Sequence, residues 1–216
     1  MSQTVTAEEQ RTTLLKQYRQ VRAFTEKLCE PLAIEDYVVQ AIEDVSPPKW
    51  HLGHTTWFFE QVVLHQFVKD YTPYHERYYF LFNSYYNTFG ERVFRPLRGT
   101  LSRPTVKEVY QYRHEIDSRM ERFFETADEA TFTEAAPIIT LGLNHEQQHQ
   151  ELNLTDLKWN FGANPLLPAY RPLAAAAEGT KVPEPEYVAV EGGLCEVGHD
   201  GTGFAYDNET PRHKVY

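Results

Sequence analysis

The chain has only two cysteines in 216 residues, Cys29 and Cys195, far apart and in segments of different character. That excludes a disulfide framework and fits a reducing compartment. Long hydrophobic runs are missing too. No stretch approaches the ~20 apolar residues a membrane span needs, and the polar, acidic segment Met1 to Gln10 is unlike a signal peptide. Positive charge is scarce: 21 Lys and Arg stand against 31 Asp and Glu, a formal net charge of -10, with no basic cluster on one face. Such a chain repels phosphate backbones and anionic lipid. This argues against nucleic-acid and membrane partners and for small-molecule substrates. Taken together, these absences read as a cytoplasmic protein of one domain, or one domain and part of another.

What is present is helical pattern. Thr6 and Glu9 have capping-box spacing ahead of Leu14, Tyr18, Val21 and Leu28, and Pro31 closes the run. A second helix is predicted from Ser46-Pro47-Pro48, with Ser46 as cap and proline in the first turn. It carries His54, Trp57, Phe58, Gln61 and His65 on one stripe and ends before Pro73. The connection over about 71–103 is dense in aromatics, Tyr71, Tyr74, Tyr78, Tyr79, Tyr85 and Tyr86 among them. These either pack between helices or wall a pocket and offer it a hydroxyl. Thr105 and Glu108 form a second capping box, before a helix with Val109, Ile116, Met120 and Phe123 on one side. A fourth helix is predicted from near Thr133, with Pro137 in its first turn, to about Phe161. Gly162 and Pro165 stop it. Four such helices suggest an all-α four-helix bundle with one long crossover.

The texture then changes. Pro168, Pro172, the run Ala174 to Ala177, Pro183 and Pro185 look like a linker. Tyr187 to Gly198 alternates like a strand pair around the Gly192-Gly193 turn. The tail from Phe204 to Tyr216 ends in mid-pattern, as a β-rich domain started and cut off would. The expected divisions are 1–163 for the bundle, 164–185 for the linker and 186–216 for the opening of the second domain.

The chemistry is concentrated in histidines. His145 and His149 are spaced i, i+4 in Leu141-Gly-Leu-Asn-His-Glu-Gln-Gln-His-Gln-Glu151, so both imidazoles leave one helix face. Ile138, Leu141, Gly142, Gln148 and Leu152 share that face, which points the pair into the bundle. A third imidazole from another helix, His54, completes a set of three nitrogen donors with open coordination positions, as a catalytic metal needs. His145-Glu-Gln-Gln-His149 also matches the zinc-peptidase pattern H-E-x-x-H, although Glu151 lies too close to serve as the usual downstream ligand. Three histidines suit Zn, Fe, Cu or Ni alike. A zinc or nickel bundle acting as a thiol transferase, or merely binding metal, therefore stands beside a non-haem iron enzyme.

Ser46-Pro-Pro-Lys-Trp-His-Leu-Gly-His54-Thr-Thr-Trp-Phe58 resembles the first metal-binding helix of the ergothioneine-biosynthesis sulfoxide synthases (the EgtB family). His145-Glu-Gln-Gln-His-Gln-Glu151 resembles their second. Gly192-Gly193 and Asp207-Asn-Glu-Thr-Pro-Arg-His213 are similar to the opening of their second domain. The resemblance implies a DinB-like four-helix bundle followed by the beginning of an α+β formylglycine-generating-enzyme/C-type-lectin-like domain. The remainder of that domain would be the bundle's partner in the active site. It implies Fe(II) held by His54, His145 and His149, and a dioxygen-dependent carbon–sulfur bond. The acceptor would be the imidazole of Nα-trimethylhistidine (hercynine), the donor the thiol of cysteine or γ-glutamylcysteine, and the product a sulfoxide. Gln148 matches a residue that helps hold the trimethylhistidine.

Further roles follow from side-chain chemistry. Tyr85 or Tyr86, in Asn83-Ser-Tyr-Tyr-Asn87, is the candidate hydroxyl for donating a proton to reduced oxygen. Arg95 and Arg98, in Phe94-Arg-Pro-Leu-Arg98, offer planar forks for the carboxylate of the thiol substrate. His51, one turn before His54, does not fall on the family's ligand position and is expected to support the site or lie at the surface. His65, His75, His114 and His213 have no partner spacing and are expected in solvent.

Overall fold

The computed structural model describes residues 6–84, 92–172 and 183–216. They form two compact units, Met1–Arg171 and Pro172–Tyr216. Four long helices build the first: α1 (Ala7–Cys29), α2 (Pro48–Phe58), α3 (Val106–Thr126) and α4 (Glu129–Ala163). Both predicted capping boxes form, Thr6 Oγ1 accepting from the Glu9 amide and Thr105 Oγ1 from the Glu108 amide, each at 3.2 Å. They satisfy amides that the first turn leaves without helical partners. α1 lies along α4, while α2 packs on both α3 and α4. All eleven residues of α2 are buried. A helix buried all round is the centre of its bundle, and each polar side chain on it must find a partner there.

The second helix differs from its prediction at both ends. Pro47, not Ser46, occupies the cap position and makes no side-chain bond. Ser46 is used elsewhere: its amide donates to Asp156 Oδ2 at 2.8 Å and its hydroxyl accepts from Arg98 Nη1 at 2.9 Å. At its other end α2 widens into a π-helical turn, Phe59–Leu64, before a last short turn, His65–Phe67. The wider turn shifts the register. Phe59, Glu60, Val63 and Leu64 are buried, and the expected stripe through Gln61 and His65 ends at Phe58.

The fourth helix starts earlier than its pattern suggests, because Asp128 caps it by accepting from the Thr131 amide at 2.8 Å. Pro137 therefore lies in the helix interior. The helical bond that proline cannot donate is outweighed by packing around it, where Phe132, Ala135, Ala136 and Ile139 are fully buried. The inward face is also rotated from the expected one. Gly142, Leu143, Glu146, Gln150, Asn153 and Leu157 are buried, whereas Leu141, Gln148 and Leu152 are exposed. His145 and His149 lie at the edge between these faces.

In the aromatic connection, packing prevails for Tyr71, Tyr74 and Tyr78, whereas Tyr79 is exposed. Tyr78 packs edge-on against Tyr112 and Phe82, and Tyr74 lies tilted against Tyr112. Tyr71 and Tyr112 hydroxyls and the Tyr74 amide all donate to the buried Glu60 carboxylate, at 3.0, 2.6 and 2.6 Å. Tyr85 and Tyr86 lie outside the described residues.

The second unit holds β1 (Cys195–Val197) and β2 (His213–Val215), antiparallel, with Cys195 opposite Val215 and Val197 opposite His213. The strand pair expected within Tyr187 to Gly198 does not form. Gly192-Gly193 precedes β1, and the partner strand comes from the tail. The alternating Tyr187, Val188 and Val190 are exposed and bury nothing, so their pattern has no face to stabilise it. No helix among the described residues is long and apolar enough to cross a membrane.

Candidate metal centre

α2 and α4 bring three imidazoles together. One nitrogen from each of His54, His145 and His149 lies within 4.8 Å of the others. His54 Nε2 and His145 Nε2 are 3.2 Å apart. Two nitrogens bound at about 2.1 Å to one ion, at tetrahedral or octahedral angles, would be about 3.0–3.4 Å apart. The contact thus has the span of two ligands on one ion.

Close approach of the helices makes this possible. A Cβ on Gly142 would come within 2.7 Å of Phe58 and 2.8 Å of Phe59. Only glycine lets α4 approach α2 this closely one turn before His145. On α2, His54 is stacked between Trp50 (centroids 4.6 Å apart, planes at 13°) and Trp57 (5.7 Å, 15°). Its Nδ1–H donates to the Phe82 carbonyl at 2.7 Å, which leaves Nε2 with the lone pair.

Electrostatics favour the ligand form of all three rings. Burial, then His145, pushes His54 well below the usual imidazole range. Burial pushes His145 down to about 4 and, with His54 next, pushes His149 well below its usual value. Neutral imidazoles are what a metal binds.

Glu146, the glutamate of the H-E-x-x-H match, does not serve this centre. Its carboxylate is fully buried and accepts from Arg22 Nη1 at 2.9 Å, Arg113 Nη2 at 2.6 Å and Thr25 Oγ1 at 2.6 Å. Burial raises its pKa, but Arg113 and Arg22 outweigh that and hold it at about 2. A carboxylate so committed is a structural anion and no base for metal-bound water, so the peptidase alternative loses its catalytic residue.

The centre opens on the side of His149. A cleft of about 340 Å³ is lined there by Trp50, Ser84, Arg92, Arg95, Arg98 and His149, with Leu152 at its edge. Small-molecule sites run from ~300 Å³ upward, so the cleft suits a ligand of amino-acid size. Arg98 is buried, its guanidinium 3.4 Å from the Trp50 ring centroid. Burial, then Arg95 and Arg92, lowers it to about 9, still a cation at neutral pH. Arg98 Nε and Trp50 Nε1 are buried donors with no hydrogen-bond partner among the described residues. Arg95 is exposed and bonded to the Asp44 carbonyl. Gln148 is exposed, one residue before His149, and is not in the cleft wall.

Three contributors escaped the sequence reading of the site. Ser84 places its hydroxyl 3.3 Å from His54 Nε2. Asp156 reaches His51 Nε2 at 3.0 Å, and His51 Nδ1 reaches His149 Nδ1 at 2.9 Å. His51 thus supports the site and is 3% exposed. Trp50, in helical register with His54 and Trp57, is the contributor a finer reading of α2 could have found. Of the remaining histidines, His65, His75, His114 and His213 are exposed.

A model of the DinB superfamily matches residues 17–152, the span that carries all three histidines. No curated protein matches the chain.

Proposed function

The chain belongs to the DinB superfamily, whose members often bind metal, and from that footing we propose that it is a non-haem iron oxygenase of ergothioneine biosynthesis. The reaction joins the thiol of cysteine or γ-glutamylcysteine to the imidazole of Nα-trimethylhistidine. The thiol S–H and an imidazole C–H are broken, and a C–S and an S=O bond form. The second oxygen atom leaves as water, so the two substrates supply the four electrons that dioxygen takes up. The observation that carries this reading is a cluster of three histidines beside an arginine-lined cleft.

His54, His145 and His149 would hold iron(II), which supplies a common site for thiol and dioxygen and a path for electrons between them. The chain's own residues do the rest. Arg98, its Nε without an acceptor among the described residues, binds the carboxylate of the thiol substrate, with Arg95 and Arg92 adding positive charge. The stack of Trp50, His54 and Trp57 keeps the ligand ring from turning. Gln148, beside His149 and open to solvent, orients the trimethylhistidine as it arrives, and Tyr85 or Tyr86 supplies the proton.

Mass spectrometry of an aerobic reaction tests this, using the natural full-length polypeptide, Fe(II), Nα-trimethylhistidine and each thiol in turn, with an oxygen-free control. An oxygen-dependent sulfoxide adduct from one thiol is expected and names the donor. No adduct from either thiol, with iron bound, overturns the reaction.

A further inference from the structure

Two residues outside the ligand set reach His149 through a chain of hydrogen bonds. Asp156 lies on the His149 face of α4, two turns on, and His51 lies one turn before His54 on α2. Asp156 Oδ2 accepts from the Ser46 amide at 2.8 Å and lies 3.0 Å from His51 Nε2. His51 Nδ1 is 2.9 Å from His149 Nδ1. The order of donors along this chain is constrained. An ionised carboxylate only accepts, so His51 Nε2 carries the proton and donates. A neutral His51 then has only a lone pair at Nδ1, and two lone pairs cannot meet at 2.9 Å. His149 must therefore donate from Nδ1, which leaves its Nε2 unprotonated.

We propose that His51 and Asp156 are positioning residues that hold His149 in its Nδ1–H tautomer and so present Nε2 as a ligand. This rests on the metal reading of the three histidines, not on the identity of the reaction. It completes a symmetry in the site. His54 is set by a main-chain carbonyl and His149 by a side-chain relay, so each has its ligand nitrogen selected by the hydrogen bond at the other nitrogen. The relay also joins α2 to α4 at the mouth of the cleft, where His149 is the most accessible of the three ligands.

The same oxygen of Asp156 takes both the Ser46 amide and His51. This makes the variants informative. Asp156→Asn can keep an amide oxygen in that place and lose only charge. His51→Phe keeps an aromatic ring but removes the acceptor for His149. His51→Asn restores an acceptor near the position of Nδ1.

The test uses the protein without iron and with Co(II) as the metal probe. Long-range ¹H–¹⁵N NMR of the metal-free parent reads the tautomer directly and needs no variant to fold. It is expected to show His149 protonated at Nδ1. In Co(II) titrations, His51→Phe weakens binding by about 10–100-fold, the usual effect of losing such a partner. Asp156→Asn is expected to weaken it less, and His51→Asn to recover much of the loss, with thermal melting confirming that each is folded. His149 protonated at Nε2 in the parent, or a folded His51→Phe with parental Co(II) affinity, overturns the proposal. A parent that binds no Co(II) overturns it together with the metal reading. Parental binding without any sulfoxide product sinks only the proposed reaction.

Discussion

The main-chain carbonyl of Phe82 accepts from His54 Nδ1 at 2.7 Å, while its ring lies where a Cβ on residue 53 would stand. One residue of the crossover thus orients a candidate ligand and packs into the gap beside it. Gly53→Ala is expected to push the ring away and draw the carbonyl with it. The ring has little room to yield, being 1% exposed and packed on Tyr78 and Tyr112. The overpacking should cost about 1–3 kcal/mol in urea unfolding and weaken Co(II) binding. Unchanged values of both would show that Phe82 is free to move.

Glu146 tests whether the H-E-x-x-H match has meaning here. Glu146→Gln leaves Arg22 and Arg113 facing a neutral amide in the core, where both guanidiniums are buried. Breaking a buried pair in this way costs about 3–5 kcal/mol, readable as a shift of the urea midpoint. A base poised over metal-bound water would be removed with little loss of stability. A change below about 1 kcal/mol, within the range of ordinary surface substitutions, would therefore return Glu146 to the catalytic candidates.

Metal should matter to stability without being needed for the fold, because the core is built from apolar residues of all four helices. At a Co(II) concentration 100 times Kd, binding adds about 2.7 kcal/mol, and chelation should lower Tm while leaving the far-ultraviolet circular dichroism helical. His145→Ala is expected to abolish both the binding and the metal-dependent part of Tm, whereas His51→Ala retains measurable binding. Equal loss from the two variants would mean that the ligand set has been drawn wrongly.

The two cysteines should report on burial. Cys29 is 1% exposed, and burial pushes its thiol up to about 11. At pH 8 it is therefore held as the unreactive thiol. Cys195 is exposed. Iodoacetamide at pH 8 should label Cys195 in the native protein and Cys29 only after denaturation, with peptide mass mapping as the readout. Rapid native labelling at Cys29 would contradict the packing of α1 against α4.

Local chemistry alone determined much of this protein. Thr6 with Glu9 and Thr105 with Glu108 start their helices because a cap involves residues three apart and needs nothing distant. The i, i+4 spacing of His145 and His149 places both on one helix face for the same reason. Where the pattern misled, a tertiary force had won. Pro137 looked like a helix start because proline cannot donate in a helix interior, yet the packing of Phe132, Ala135 and Ile139 carries the helix through it. Leu141 and Leu152 looked like core and are exposed, because α4 turns Gly142 and Glu146 toward its neighbours.

Choosing three candidate metal ligands among nine histidines lay beyond periodicity. His51 and His54 are one turn apart on a helix buried on every side, so spacing cannot rank them. Only the Phe82 carbonyl on one ring and Asp156 on the other give them different roles. Glu146 stands next to His145 in sequence and yet belongs to a different network, because Arg22 and Arg113 arrive from α1 and α3 to claim it. Sequence specifies what a residue offers within one helical turn. Which groups meet across α2 and α4, and therefore which nitrogen keeps its lone pair, is decided only when the helices pack.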